Sequence, residues 1–234
     1  MSRLIAALIR HADYQQLANT PSAHQPFPLT TAGKTEAIAA TQSLKDFLQS
    51  GHYSLSPEID CSHMLRAWQT AEIIAANMTD QFTGPPLLES FDALAERAVG
   101  SVANLTISQI EHIVNEDPRF DELPSGWKSD SHYQLPFQGA ESLLEAGKRV
   151  ATHLQHRMQA LQESVTDDTM KLFVGHGAAF RHAAFHLGVL SLEQVSQLSM
   201  HHARPVLFEY RSDGSWLHVG GDWKVRKAGH ESID

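Results

Sequence analysis

Residues 4–9 read Leu-Ile-Ala-Ala-Leu-Ile, and Arg10 and His11 follow with no spacer. A short unbroken apolar run is the pattern of a strand buried on both faces, and such strands belong to parallel sheets covered by helices on each side. Here the strand ends in a permanent cation and an imidazole. In open α/β sheets, ligands bind outside the carboxyl ends of the strands. One feature thus predicts both a layered α/β fold and a site at its rim.

The rest of the chain follows the same grammar. Polar, Pro-punctuated sequence over 15–33 reads as loop. From about Ala32 to Ser50 apolar residues keep helical spacing, with Thr30 or Thr31 as cap. Residues 58–61 form a short strand candidate, and the run Leu65–Met78 forms a helix directly after it. Ser142 and Glu145 make a capping box in front of a long amphipathic helix. Then 171–189 gives strand, Gly-His-Gly and helix, and 204–221 gives two strands joined around Asp213-Gly214. We expect a three-layer α/β/α domain over 1–234 with a largely parallel sheet. An irregular lid insertion spans about 100–140, and a C-terminal hairpin and tail span about 203–234.

Composition narrows the function. A net charge of −9 argues against nucleic acid as a partner. No apolar stretch approaches the ~18 residues of a membrane span, and the N-terminal run lacks the marks of a secretion signal. The single cysteine, Cys61, cannot form an intramolecular disulfide and fits a reducing compartment. The expected location is the cytoplasm. The tail from Trp223, basic and then acidic, either frames a homodimer contact or is loose.

Three apparent strand ends deliver Arg10-His11, the helix carrying Arg66, and His176 between two glycines. Cations gathered there call for an anion, and arginine forks match phosphoryl oxygens bidentately. A neutral imidazole in the right tautomer can attack phosphorus, nearby cations can stabilise the equatorial oxygens, and a carboxylic acid can protonate the leaving oxygen.

These residues resemble the histidine phosphatase superfamily, the phosphoglycerate-mutase-like fold. Ile-Arg10-His11-Ala12 is similar to that family's first R-H-G motif, with Ala12 in place of glycine. Ser62-His-Met-Leu65-Arg66-Ala67-Trp-Gln69-Thr70-Ala71 resembles its second, with one extra residue after the serine. His176-Gly177 resembles the third. Leu29–Gly33 looks like the segment opening the family's first helix, and Gly139–Val150 like a later helix start. The Glu96-Arg97-Ala-Val-Gly100 stretch resembles the general-acid segment of the cofactor-dependent mutases. The resemblance implies His11 as nucleophile. It implies Arg10, Arg66, His176 and Gly177 as phosphate binders, with His176 also catalytic, and Glu96 as proton donor and acceptor. It implies no metal and no organic cofactor. Glu89 and Asp13 are rival carboxylates. Many relatives place asparagine where this chain has Leu17, and Asn19 is the nearest substitute.

Other features carry simpler readings. With fifteen histidines in the chain, most are surface or packing residues. His182 and His186 share a helix face at metal-pair spacing but lack a third ligand, and His201-His202 has no stronger claim. Cys61 reads as buried packing. Phe120, Trp127, Tyr133 and Phe137 either face a substrate or anchor the insertion.

The reaction is chosen by charge. Residues 101–140 hold six acids against Arg119 and Lys128, a net of −4, which would repel a polyanion held by a mutase lid. The expected activity is hydrolysis of a phosphorylated metabolite or phosphoprotein. A phosphoglycerate-type mutase is the alternative, and a catalytically weak phosphate- or partner-binding module is the second.

Overall fold

The computed structural model describes residues 2–226. Its centre is the strand that the apolar run predicts. β1 (Leu4–Arg10) is buried along its whole length. Thr30 then caps α1 (Thr31–Gly51), its hydroxyl accepting the Gly33 amide, and the helix stops at His52 in the left-handed region. β2 (Ser54–Ser62) is longer than the sequence reading of 58–61. Its register against the neighbouring strand slips between Leu55 and Ile59, around Pro57, a residue with no amide proton for the ladder. α2 (Leu65–Asn77) and the short β3 (Leu87–Phe91) follow.

The insertion is less irregular than its Pro- and Asp-rich sequence suggests. It contains α3 (Ile107–Glu116), started by a reciprocal capping box between Thr106 and Gln109. The expected Ser142–Glu145 box opens α4 (Leu143–Ser164). β4 (Thr169–Gly175) leads into α5 (Gly177–His186). α6 (Leu192–Gln197) and the two-residue β5 (Leu198–Ser199) precede the hairpin of β6 (Pro205–Tyr210) and β7 (Trp216–Gly220). The tight hairpin turn uses Gly214 at φ 82°. β8 (Lys224–Val225) pairs with β5. The last part of the predicted tail, 227–234, lies outside the described residues.

The main sheet has the order β3-β2-β4-β1-β6-β7. Its first four strands run parallel, β6 pairs antiparallel with β1, and β7 pairs antiparallel with β6. The sheet is therefore mixed, and the fold is α/β. Alternate residues of β1 point into two cores. Ile5, Ala7 and Ile9 pack with α1 and α2, whereas Leu4, Ala6 and Leu8 pack with α4 and α5. A third cluster joins Val102, Ile110, Trp127 and Leu135 of the lid to Ala23 of the loop after β1. Among the described residues, no helix is long and apolar enough to cross a membrane.

Candidate active site

Sheet order puts the carboxyl ends of β2, β4 and β1 side by side. Ser62 ends β2, and Arg66 stands in the first turn of α2. His176 is the residue between β4 and α5, and β1 ends in Arg10. The chain after β1 is pinned there, since the His11 amide donates to the Gly175 carbonyl at 2.9 Å. Arg10 lies against Gly177, where a Cβ would stand 3.0 Å from its Cδ, so the glycine makes room for the arginine. Arg10 Nη1 donates to the Met200 carbonyl at 3.0 Å. The three segments that were far apart in the chain meet at one place.

His11 is held as a neutral imidazole. Its Nδ1 is 2.8 Å from the carbonyl oxygen of Ala12, an acceptor that fixes the proton on Nδ1. The in-plane lone pair is then on Nε2. Burial pushes the imidazole well below its ordinary pKa, and Arg66, His176 and Arg10 push the same way. Ala12 makes this contact through its backbone carbonyl, which glycine at the same position would also offer. Its amide donates to Thr70 Oγ1 at 3.1 Å, and the Thr70 hydroxyl donates to the Arg66 carbonyl.

His176 stands beside it, ring centroids 5.1 Å apart. Arg66 Nη2 can only donate, so His176 Nδ1 accepts at 3.3 Å and Nε2–H donates to Ser62 Oγ at 2.9 Å. Burial, followed by Arg66, holds this imidazole well below its usual pKa as well. Arg66 is fully buried, and its Nη donors go to the backbone carbonyls of Ser22, Ala23 and Gln25. The guanidinium also lies 4.5 Å from the centre of the Tyr14 ring. Its Nε–H meets no acceptor among the described residues. A buried cation with an orphaned donor, hydrogen-bonded to carbonyls and an imidazole and to no carboxylate among the described residues, is a setting that stabilises an anion.

The loop that covers Arg66 is stitched from within. Gln25 accepts the Leu17 amide and donates to the Pro21 carbonyl, and Tyr14 Oη meets Ser22 Oγ at 2.8 Å. Gln69, the glutamine of the second motif, anchors the loop's far end by accepting the Leu29 amide. Leu17 and Asn19 are both exposed, so neither supplies the polar contact sought from the sequence. The Asn19 carbonyl instead accepts the Ile107 amide at the start of α3. Loop and lid are one packed unit.

Of the three candidate carboxylates, two are occupied elsewhere. Asp13 accepts the Thr30 hydroxyl at 2.6 Å at the start of α1, and Glu89 pairs with Arg157 at 2.7 Å on the sheet's other flank. Glu96 is buried, takes the Arg97 amide on its own carboxylate, and shares a cavity of about 10 Å³ with Ser22 and Ala23. Its charge is felt at Arg66 and Tyr14.

The remaining expectations sort cleanly. His182 is held between the Ala178 carbonyl and Ser131 Oγ, and His186 Nε2 meets the Leu144 carbonyl. Among the described residues, no cluster of three or more His, Cys, Asp and Glu is placed to hold a metal ion. Cys61 is buried, and burial raises its thiol pKa. Trp127, Tyr133 and Phe137 belong to the lid's own core, and Phe120 stacks edge-on to Phe137, so the aromatics anchor the insertion. His202, which had no special claim in the sequence, stands beside the nucleophile candidate. Its ring is 5.7 Å from that of His11, and its Nδ1 is 3.7 Å from Glu36 Oε2.

The profile of the histidine phosphatase superfamily (branch 1) matches residues 6–222. The chain belongs to this superfamily. A 2,3-bisphosphoglycerate-dependent phosphoglycerate mutase from Brucella ovis is 26% identical over 92% of this chain and 96% of its own length. Two solved structures share the fold. A mycobacterial glucosyl-3-phosphoglycerate phosphatase gives a TM-score of 0.66 at 19% identity, covering 96% of this chain and 98% of its own. A phosphoglycerate mutase from Bacillus anthracis gives 0.69 at 16%, covering 93% and 92%.

Proposed function

We propose that this chain hydrolyses phosphomonoesters of small metabolites or proteins in the cytoplasm, through a phosphohistidine formed on His11. The observation that carries the reading is the fixed tautomer of a buried, neutral His11 among two arginines and a second imidazole. Nε2 attacks phosphorus in line and the P–O bond to the alcohol breaks. Glu96 gives the departing oxygen its proton. Arg66 and Arg10 draw the charge of the equatorial oxygens, and His176 stands with them as hydrogen-bonding partner. Water then attacks the phosphohistidine, Glu96 recovers a proton, and phosphate and free His11 result. No metal takes part in this sequence, so turnover is expected to persist in EDTA.

The Brucella ovis relative's name favours a second reading, in which the phosphoryl group returns to a rearranged substrate. The lid supports hydrolysis instead. Arg119 is committed to Asp117 at 2.6 Å, and Lys128 is buried at 7% exposure, which leaves the acids to set the sign of the lid surface. A polyanionic intermediate would find little to hold it there.

The test is phosphate release from an ester panel in EDTA, with an alkaline quench to keep an acid-labile phosphoryl group on the protein. A phosphoprotein formed by the native chain and lost in His11→Ala is the expected result. Isomerisation of phosphoglycerate faster than phosphate release would favour the mutase. Absence of any trapped phosphoryl group would leave a binding module.

A further inference from the structure

Every group assigned to phosphorus is covered. His11, His176, Arg66 and Glu96 are each at most 5% exposed, and Arg10 is 6% exposed. A groove of about 750 Å³ between α1 and the segments flanking the β6–β7 hairpin reaches Arg10, but none of the other four lines it. A phosphate ester that is to meet His11 therefore needs a wall to move.

The wall on Arg66 is Ser22–Gln25. A guanidinium offers two pairs of parallel N–H donors, Nε with Nη2 and Nη1 with Nη2, so a bidentate grip on a phosphoryl group uses Nη2 in either case. Here Nη2 is taken by the carbonyls of Ser22 at 2.8 Å and Ala23 at 3.0 Å, and by His176 Nδ1 at 3.3 Å. Nη1 donates to the Gln25 carbonyl at 2.9 Å. Three backbone oxygens within four successive residues thus hold the donors on which the terminal oxygens of a phosphoryl group depend.

This wall is also the one built to move. His11, Ser62 and His176 stand at the ends of inner strands, and the His11 amide is pinned to the Gly175 carbonyl. Residues 21–27 belong to no strand, and Pro21 and Pro26 have no amide to give to one. Tyr14 Oη, 2.8 Å from Ser22 Oγ, fastens the segment to the chain after His11, and the Gln25 side chain ties it to Leu17 and Pro21. A segment held by a few side-chain contacts and no ladder comes from the low-stability end of a fold. Its removal opens onto Glu96, which shares a cavity of about 10 Å³ with Ser22 and Ala23. An alcohol entering there departs on the side of its proton donor.

We propose that Ser22–Gln25 is an autoinhibitory strap, that its carbonyls compete with phosphate for Arg66, and that Tyr14 and Gln25 latch it shut. Phosphate is the competitor because the proposed reaction puts phosphorus at His11, so this inference rests on the phosphatase reading.

The test titrates inorganic phosphate by calorimetry into the native chain, Ser22→Ala and Gln25→Ala. Neither substitution removes a backbone carbonyl or a phosphate-binding group, and each deletes latch contacts of the closed strap. A ligand that needs the open form has its affinity reduced by the fraction that is open. Ser22→Ala is therefore expected to bind phosphate about fivefold more tightly than the native chain, the worth of about one hydrogen bond. Gln25→Ala, which loses two, should gain more. Equal or weaker binding by both variants overturns the strap and leaves the phosphatase reading to the ester panel. Binding by neither the native chain nor the variants overturns the strap as well. An ester panel without turnover sinks the phosphatase reading, while tighter phosphate binding by the variants still upholds the strap.

Discussion

The two flanks of His11 are built from opposite materials. On one side, Arg66 and His176 are fully buried, and the groups around the guanidinium are mainly main-chain carbonyls. On the other, Arg10 meets a groove lined by charged side chains that water reaches. A buried cation answered by partial charges keeps its field for an anion, because there is little solvent to screen it. Exposed charges are screened and contribute direction and selectivity more than strength. In the proposed reaction the sealed flank supplies force on phosphorus, and the open flank, screened by water, supplies less.

The sharpest way to break this division is to exchange the arginines. Arg66→Ala is expected to cut kcat/KM by about 10³, and Arg66→Lys should recover little, since a point charge cannot replace the planar fork. Arg10→Ala should cost about tenfold less. Equal losses would show that the flanks do not differ. Next comes the seal itself. Gln25→Ala removes two internal hydrogen bonds of a buried side chain. Urea unfolding should register a loss of about 2 kcal/mol. If stability is unchanged, the loop does not close over Arg66 as described.

Acid should weaken the sealed flank in a predictable way. His182 braces α5 against the lid base, and burial, then Arg181, lowers its pKa to about 3. In the unfolded chain it takes a proton near 6.5, so the folded state holds fewer protons between those values. The corresponding stability is complete above about pH 6.5 and drains away as pH falls toward about 3. His11 and His176 contribute with the same sign. His182→Gln should lessen the stability lost between pH 7 and pH 5 by about 2 kcal/mol, read from urea midpoints. The smallest effect belongs to the exposed lid pair. Arg119→Ala should leave the urea midpoint unchanged in the same assay, because the guanidinium is exposed and the pair is screened by water.

Sequence carried the framework of both flanks unequally. The apolar run of β1, the Ser142–Glu145 box and the Arg-His, Arg66 and His176 segments were legible because burial and capping impose residue types on them. α3 and α6 were not legible although Thr106-Gln109 and Ser191-Gln194 both write capping boxes, since α3 stands among acids and prolines and α6 is only six residues long. β3 hides because it is a half-buried edge with no full apolar stripe. The seal on Arg66 had no signature at all, since any residue has a carbonyl. His202 was one imidazole among many, placed by the close pairing of β1 with β6 and not by a motif.

The central claim is that Nδ1 of His11 is committed to Ala12, so phosphorus must bond to Nε2. Nuclear magnetic resonance of the trapped phosphoenzyme, with ¹⁵N in the histidine rings, reads the P–N linkage directly. A phosphoryl group on His11 Nε2 is the predicted result. Phosphorus on Nδ1, on another residue, or on none would contradict the account.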